Sequence, residues 1–489
     1  MFIIKTMKKW LKILISTTVV AGVVATASYF SAVAIVDKIK KDNGTKTFVE
    51  KIETNDYYHI KHLELEFYDK DTAHNFGLHF SNVFINSHND SYNFEGNLSV
   101  EYDFMEVYSG YSTYINKTFY LETYDSIFTN ENIYFDVDSL TSFRNAFNNS
   151  TLTDTDIFHF EFGFDFLKDM SEKTNEVKKV DETTHLFEFK VPKYNSSLLF
   201  YTDGDYNLYK LKTSTAFEYE NTLLSINAAN ISFIEKFEIH KKDAEFNNLS
   251  KILKASSYLL DGFNAENGKG ICVDVGNKVT DAPLEIYRKN RRIFEFLGKI
   301  EVFNKTEYED FLLKYTGSIL IDIQDYELMD FSITFFLYQD VIYFQLEDYN
   351  LTKGSVKLST LEEAIEFKKD EAILKIKSLL FNIVDLIGIN ASFNEDYKFI
   401  SSLKSEESSI DATFSIPVTQ NDTENKEISV KTTFNEDRYK EISTSDISYE
   451  NYTIKNLILG FEDEISERPT INFDEYTSYD EFILNLLSF

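Results

Sequence analysis

A single cysteine, Cys272, stands among 489 residues, which rules out a disulfide within the chain and a lipid-modified cysteine near the start. Its apolar neighbourhood, Gly270-Ile271-Cys272-Val273, reads as that of a small buried hydrophobe. Positive charge is also scarce: 49 Lys and Arg face 81 Asp and Glu, for a formal net charge of −32. Such a surface repels nucleic-acid phosphates and anionic headgroups, so no nucleic-acid partner is expected. Prolines number four, at 192, 283, 417 and 469, and no histidine follows His240. Equally absent are a G-x-S-x-G elbow, a phosphate loop, a dinucleotide fingerprint and an H-E-x-x-H helix. Hydrophobic residues (43%) and aromatics (16%) are nonetheless too abundant for a disordered chain.

The most distinctive stretch is 10–36, WLKILISTTVVAGVVATASYFSAVAIV, which carries no carboxylate. Lys5, Lys8 and Lys9 precede it. It exceeds the roughly 20 apolar residues that a bilayer core requires, and the lysines keep its start cytoplasmic. The expectation is a basic cytoplasmic start at 1–9, a transmembrane anchor or signal peptide at 10–36 and a linker at 37–45. Ala25-Thr26-Ala27 and Ala32-Val33-Ala34 keep a cleaved, secreted form open as the alternative. Either way the body lies outside the cytoplasm.

That body contains echoes of itself. Tyr209-Lys210 and Tyr219-Glu220-Asn221 return as Tyr439-Lys440 and Tyr449-Glu450-Asn451; Phe189–Pro192 returns as Phe414–Pro417. Ile133-Tyr134-Phe135 resembles Ile342-Tyr343-Phe344, and Leu259–Phe263 resembles Leu486–Phe489. A repeat above 200 residues implies two domains of one fold rather than a solenoid. They are expected at 46–264 and 270–489, joined through the Gly- and Asn-containing stretch 264–270.

Strand patterns dominate both halves. His62–Phe67, Leu98–Phe104, Ile319–Ile323 and Phe331–Phe335 alternate apolar and polar residues, as antiparallel strands covered on one face do. Asp203-Gly204 reads as a hairpin turn. Helical spacing shows over 361–387, and each half ends in an amphipathic run, through Leu249, Ile252, Leu253 and Leu260 and through Phe482, Ile483, Leu486 and Leu487. The expected fold class is therefore α+β and β-rich: two duplicated domains, each a curved antiparallel sheet with two or three packed helices, after the N-terminal helix. In architecture alone this is similar to the half-barrel of bacterial lipoprotein carriers, which implies an apolar cavity. Phe158, Phe160, Phe162, Phe164 and Phe166 form a stripe, on strand or helix, that is the candidate lining for an apolar ligand.

Chemistry-bearing residues are sparse. Five of the eight histidines fall between 59 and 88, but His59 and His62, three apart, point to opposite faces of a regular strand, so the group reads as scattered surface histidines. Asp203-Gly204-Asp205-Tyr206-Asn207 opens like a calcium loop, then has Leu208 where Gly belongs and Ser214 where Glu belongs. No catalytic, cofactor or metal residues are assigned. The function expected is that of a non-enzymatic, membrane-anchored extracytoplasmic surface protein acting by binding or adhesion, with a lipid or a protein as partner. The alternative is a carrier or scavenger of an apolar ligand such as lipid.

Overall fold

A computed structural model describes residues 47–148, 176–262, 270–303, 312–322, 329–347, 352–364 and 398–481, less a few short stretches within these. The expected leader at 10–36, its flanks at 1–9 and 37–45, and the phenylalanine stripe 158–166 lie outside the described residues. The chain divides into two compact units, with the cut near the middle falling between Leu249 and Ser250.

The first unit is built on one sheet. A six-strand meander runs through β1 (Tyr57–Asp69), β2 (Asn75–Asn86), β3 (Asn93–Tyr102), β4 (Met105–Ile115), β5 (Thr118–Ser126) and β6 (Ile133–Asp136). A second meander follows: β7 (Glu176–Lys179), β8 (Leu186–Val191), β9 (Ser196–Thr202) and β10 (Leu208–Thr213). The short β11 (Phe217–Tyr219) turns into β12 (Thr222–Phe233), which inserts between β10 and β1 and fuses the meanders. Finally β13 (Asn247–Asn248) joins the far edge parallel to β6. The order is β7-β8-β9-β10-β12-β1-β2-β3-β4-β5-β6-β13.

The second unit's sheet contains β14 (Ile271–Val275), β15 (Leu284–Arg288), β16 (Arg291–Phe303), β17 (Leu312–Ile321), β18 (Met329–Tyr338), β19 (Val341–Leu346) and β20 (Thr352–Lys357). It continues with β21 (Ile400–Ser405), β22 (Ser409–Pro417), β23 (Asn425–Asn435), β24 (Arg438–Thr444), β25 (Ile447–Tyr449), β26 (Tyr452–Lys455), β27 (Ile458–Glu462) and β28 (Thr477–Ser478). Its order, β21-β22-β23-β24-β27-β14-β16-β17-β18-β19-β20-β28, matches the first strand for strand, including the closing parallel pair.

The likeness extends to single hydrogen bonds. Two-residue turns with both residues at positive φ, Asn116–Lys117 and Gln339–Asp340, join β4 to β5 and β18 to β19. Ser214 N and Ser445 N each donate at 2.8 Å to the carbonyl of a serine on the neighbouring strand, Ser197 and Ser429. Tyr219 pairs with Thr222 as Tyr449 pairs with Tyr452, so that sequence echo falls on equivalent strands. The echo between Ile133–Phe135 and Ile342–Phe344 does not: the former lies in β6, the latter in β19, whose counterpart is β5. In so biased a composition, neighbouring strands of one meander carry interchangeable triplets.

The helical content is overturned. Three α-helices are fully described: α1 (Val137–Asn148), α2 (Ser250–Asp261) and α3 (Leu358–Ala364). Among the described residues that makes three, not two or three packed helices in each domain; strand accounts for 64% of the described structure and helix for 12%. Sheets of twelve strands in line, made mostly from sequence neighbours, take up nearly all the backbone donors and acceptors. Asp136 caps α1, accepting from Ser139 N at 2.6 Å. The amphipathic run through Leu253 and Leu260 does form a helix, α2, and its residues count to the second unit, where Ser256 meets the Tyr439 hydroxyl of β24 at 2.7 Å.

Each sheet has an apolar and a polar face. In the first, Leu63, Leu65, Phe67, Leu78, Phe80, Leu98, Val100, Phe119 and Phe135 are almost fully buried, each contributing roughly 2–3 kcal/mol. The other face holds the alternating polar residues. From β12 and β27 an extended strap returns across it to the edge strand. Phe246 meets Tyr120 edge-on at 5.4 Å and 76°; Tyr476 meets Tyr343, the counterpart of Tyr120, at 5.3 Å and 79°.

Candidate functional site: a polar pocket on the first sheet

The polar face of β1–β5 is set out by cross-strand register. One row runs His62, Ser81, Asn97, Tyr111, Glu122; the next runs Glu64, His79, Ser99, Ser109. A line of backbone irregularities prepares it. Pairing skips Lys61, with Asn82 and Asn230 held at φ +53° and +56° on the strands either side. Burial alternation slips by one residue here, from Tyr58 and Ile60 to Leu63, Leu65 and Phe67, while the register with both neighbouring strands is kept, so His59 and His62 share a face instead of opposing one another. Gly96 lies against this irregularity, where a side chain would press on the Val83 backbone. At Gly110 a Cβ would collide with the Glu122 carbonyl oxygen.

Small residues at Ser81, Ser99, Ser109 and Gly110 leave an open pocket of about 310 Å³. His62, Glu64, His79, Asn97 and the largely exposed Tyr124 complete its polar lining, and no lysine or arginine is among the lining residues. Glu64 Oε2 accepts from Asn227 Nδ2 at 2.8 Å. His79 Nε2 lies 2.9 Å from Glu66 Oε1 and 3.9 Å from Glu101 Oε2, close in distance but off-line for a hydrogen bond. Burial raises the Glu66 carboxyl above its usual range, helped by Glu101 and Glu64 and opposed by His79. Ser99 Oγ donates to Glu106 Oε2 at 2.5 Å, not to His79. The pocket thus offers acceptors, hydroxyls and an aromatic wall to a polar or cationic group, and it disfavours an anion.

The equivalent face of the second sheet answers the same positions differently. Asp274, Lys299 and Thr316 stand where His62, Ser81 and Asn97 stand in the first. Lys299 Nζ donates to Glu462 Oε2 at 2.6 Å, and Cys272 Sγ lies 3.4 Å from the same oxygen. Lys314 Nζ donates to Glu301 Oε2 at 2.8 Å, and Ser466 N, on the strap, to Glu301 Oε1 at 2.9 Å. Here lysines neutralise the carboxylates and the strap seals the row, which makes a structural ladder.

The remaining candidates fall elsewhere. His59 stacks on Phe84 at 4.5 Å, and His185 packs edge-on to Tyr206. Asp203 Oδ1 accepts from the backbone of Asp205 and Asn207, which makes the segment a turn whose carboxylate is used locally. Among the described residues, no three His, Cys, Asp or Glu side chains are placed to hold a metal ion, and no helix is long and apolar enough to cross a membrane. Sequence reading missed the pocket, although its signal is legible afterwards: His62-x-Glu64-x-Glu66, His79-x-Ser81 and Asn97-x-Ser99-x-Glu101 are polar half-strands that pair side by side. No protein-family model matches the chain, and no curated protein shows significant similarity to it.

Proposed function

We propose that the chain is a non-enzymatic binding protein, anchored in a membrane through residues 10–36 with its body outside the cytoplasm, and that it takes a polar or cationic ligand on the first sheet. The observation that carries this reading is the polar pocket. Its carboxylate Glu64 attracts donors and cations, its serines and Asn97 supply directional hydrogen bonds, and Tyr124 gives a flat wall. Binding rather than turnover is supported by Ser99, the cross-strand partner of His79, whose hydroxyl donates to Glu106 and not to the histidine. The polar lining favours such ligands over a lipid.

The test is an array of glycans and polyamines probed with the exported part and with Ser81→Trp, which fills the pocket floor. Binding that Ser81→Trp abolishes supports the reading. No binding, or binding that survives the substitution, overturns it. Placement is tested separately: protease added to intact cells should degrade the body while the leader stays with the membrane fraction.

A further inference from the structure

Phe104 sits at the tip of the β3–β4 hairpin, where Tyr102 pairs with Met105. It is 81% exposed, the most exposed of the large aromatic side chains in the described residues. Its backbone has φ +67°, and that of Asp103 before it +46°. Left-handed backbone is unfavourable for a bulky side chain and is normally given to Gly, Asn or Asp. The chain follows that preference more closely in its other turns of this type: Asn116–Lys117, Lys289–Asn290 and Gln339–Asp340 carry only polar residues. Position 104 is thus disfavoured twice, by backbone conformation and by hydration of a bare ring, with no burial in return.

The tip is also held rigid. Asn75 N donates to Asp103 Oδ1 at 2.8 Å, and Asp103 N donates to the Asn75 carbonyl at 3.0 Å. The ring is presented on a fixed mount. Around it stand Asp103 and, on the flanking strands, the cross-strand pair Glu101 and Glu106. Strain that persists without internal compensation marks a place where an outside contact repays it. A single ring is too little for stable membrane attachment, and its acidic rim repels anionic lipid.

We propose that Phe104 is the anchor of a docking site for a second protein, one that offers a ring-sized apolar pocket with a lysine- or arginine-lined rim. This site is separate from the polar pocket and stands or falls independently of it. An aromatic anchor at the centre of a contact carries a large share of its affinity, and acidic flanks set the partner and its salt dependence.

The test uses the full chain in the cells that make it, with a photoreactive phenylalanine analogue at position 104 and, as control, at Val279, which is 95% exposed. The expected result is one discrete protein adduct from 104 that 279 does not give, with lysine or arginine flanking the captured apolar peptide. Purified partner should then bind wild type in a salt-sensitive manner and Phe104→Asn at least about 30-fold more weakly. Because asparagine suits the turn, Phe104→Asn should melt no lower than wild type and should keep any ligand of the polar pocket. Adducts to lipid alone, adducts equal to those from 279, unchanged partner affinity, or a lowered melting temperature each overturn the proposal.

Discussion

Glu301 is only 4% exposed and faces an ammonium and a backbone N–H. Burial pushes its carboxyl up, but the bonds from Lys314 and Ser466 outweigh burial and hold it at about 2. A carboxyl depressed from the ordinary 4.5 stabilises the fold fully above that pH, and the contribution fades as pH falls toward 2. Acid melts should therefore show a loss in this window that Glu301→Gln removes. Lys314→Met, which strands the buried carboxylate, should cost about 3 kcal/mol in chemical unfolding at pH 7; an unchanged midpoint would contradict the pairing. Cys272 illustrates the opposite balance. Burial first, then Glu462, raises its thiol to about 11 despite Lys299, leaving a thiolate fraction on the order of a thousandth at pH 8. Thiol reagents should label it at a measurable rate only in denaturant, and rapid labelling of the native protein would show that the β14 edge of the ladder opens. At this scale the sequence anticipated Cys272 as a buried hydrophobe and missed its hydrogen bond to Glu462, 190 residues away.

Among elements, the centre of the second sheet depends on two facing glycines. Gly298 and Gly317 are direct partners of β16 and β17. A Cβ on Gly317 would run into the Leu297 carbonyl oxygen and Gly298 Cα. The Tyr315 ring covers the space that they vacate and donates its hydroxyl to the Ser318 carbonyl at 2.8 Å. Tyr108 lies over Gly110 in the same way, two residues on. Gly317→Ala should destabilise the protein by at least about 2 kcal/mol because backbone, not a flexible side chain, must move; the measurement is the denaturant midpoint. The same element scale explains where sequence reading of strands held and where it slipped. Alternation in β1 and β3 marked the strands correctly, yet spacing alone put His59 and His62 on opposite faces. The break in pairing at Lys61 is shared with Asn82 and Asn230 in two neighbouring strands, which no local pattern in β1 announces. The helices were overestimated for a related reason: apolar periodicity in short segments cannot say how much chain the sheet will use.

For the molecule as a whole, a net charge of −32 means that each unit folds against its own repulsion. Raising ionic strength from about 10 mM to about 150 mM shortens the screening length about fourfold and should raise the melting temperature; a fall on adding salt would show that ladders such as Lys299–Glu462 outweigh the long-range term. The two sheets repeat one strand order and many of the same turns, straps and hydrogen bonds, while their polar faces diverge. One closes with lysine–carboxylate pairs; the other stays open around His62, His79 and Ser81. Comparing Ser81→Lys with wild type in the ligand array probes that divergence directly, since it transplants the second sheet's residue into the first: binding should be lost with little change in stability.

From its residues alone the chain settles that it is acidic, free of intrachain disulfides, rich in alternating strands and built on echoes more than 200 residues apart. These follow from composition and from period two, which are local properties. Which strands lie side by side, and hence which polar half-strands meet, was decided only in three dimensions. β12 is inserted between β10 and β1, so Asn227 reaches Glu64 across 163 residues. The pocket depends on bulges, missing side chains and cross-strand neighbours together, and register is a collective result of packing one face of the sheet.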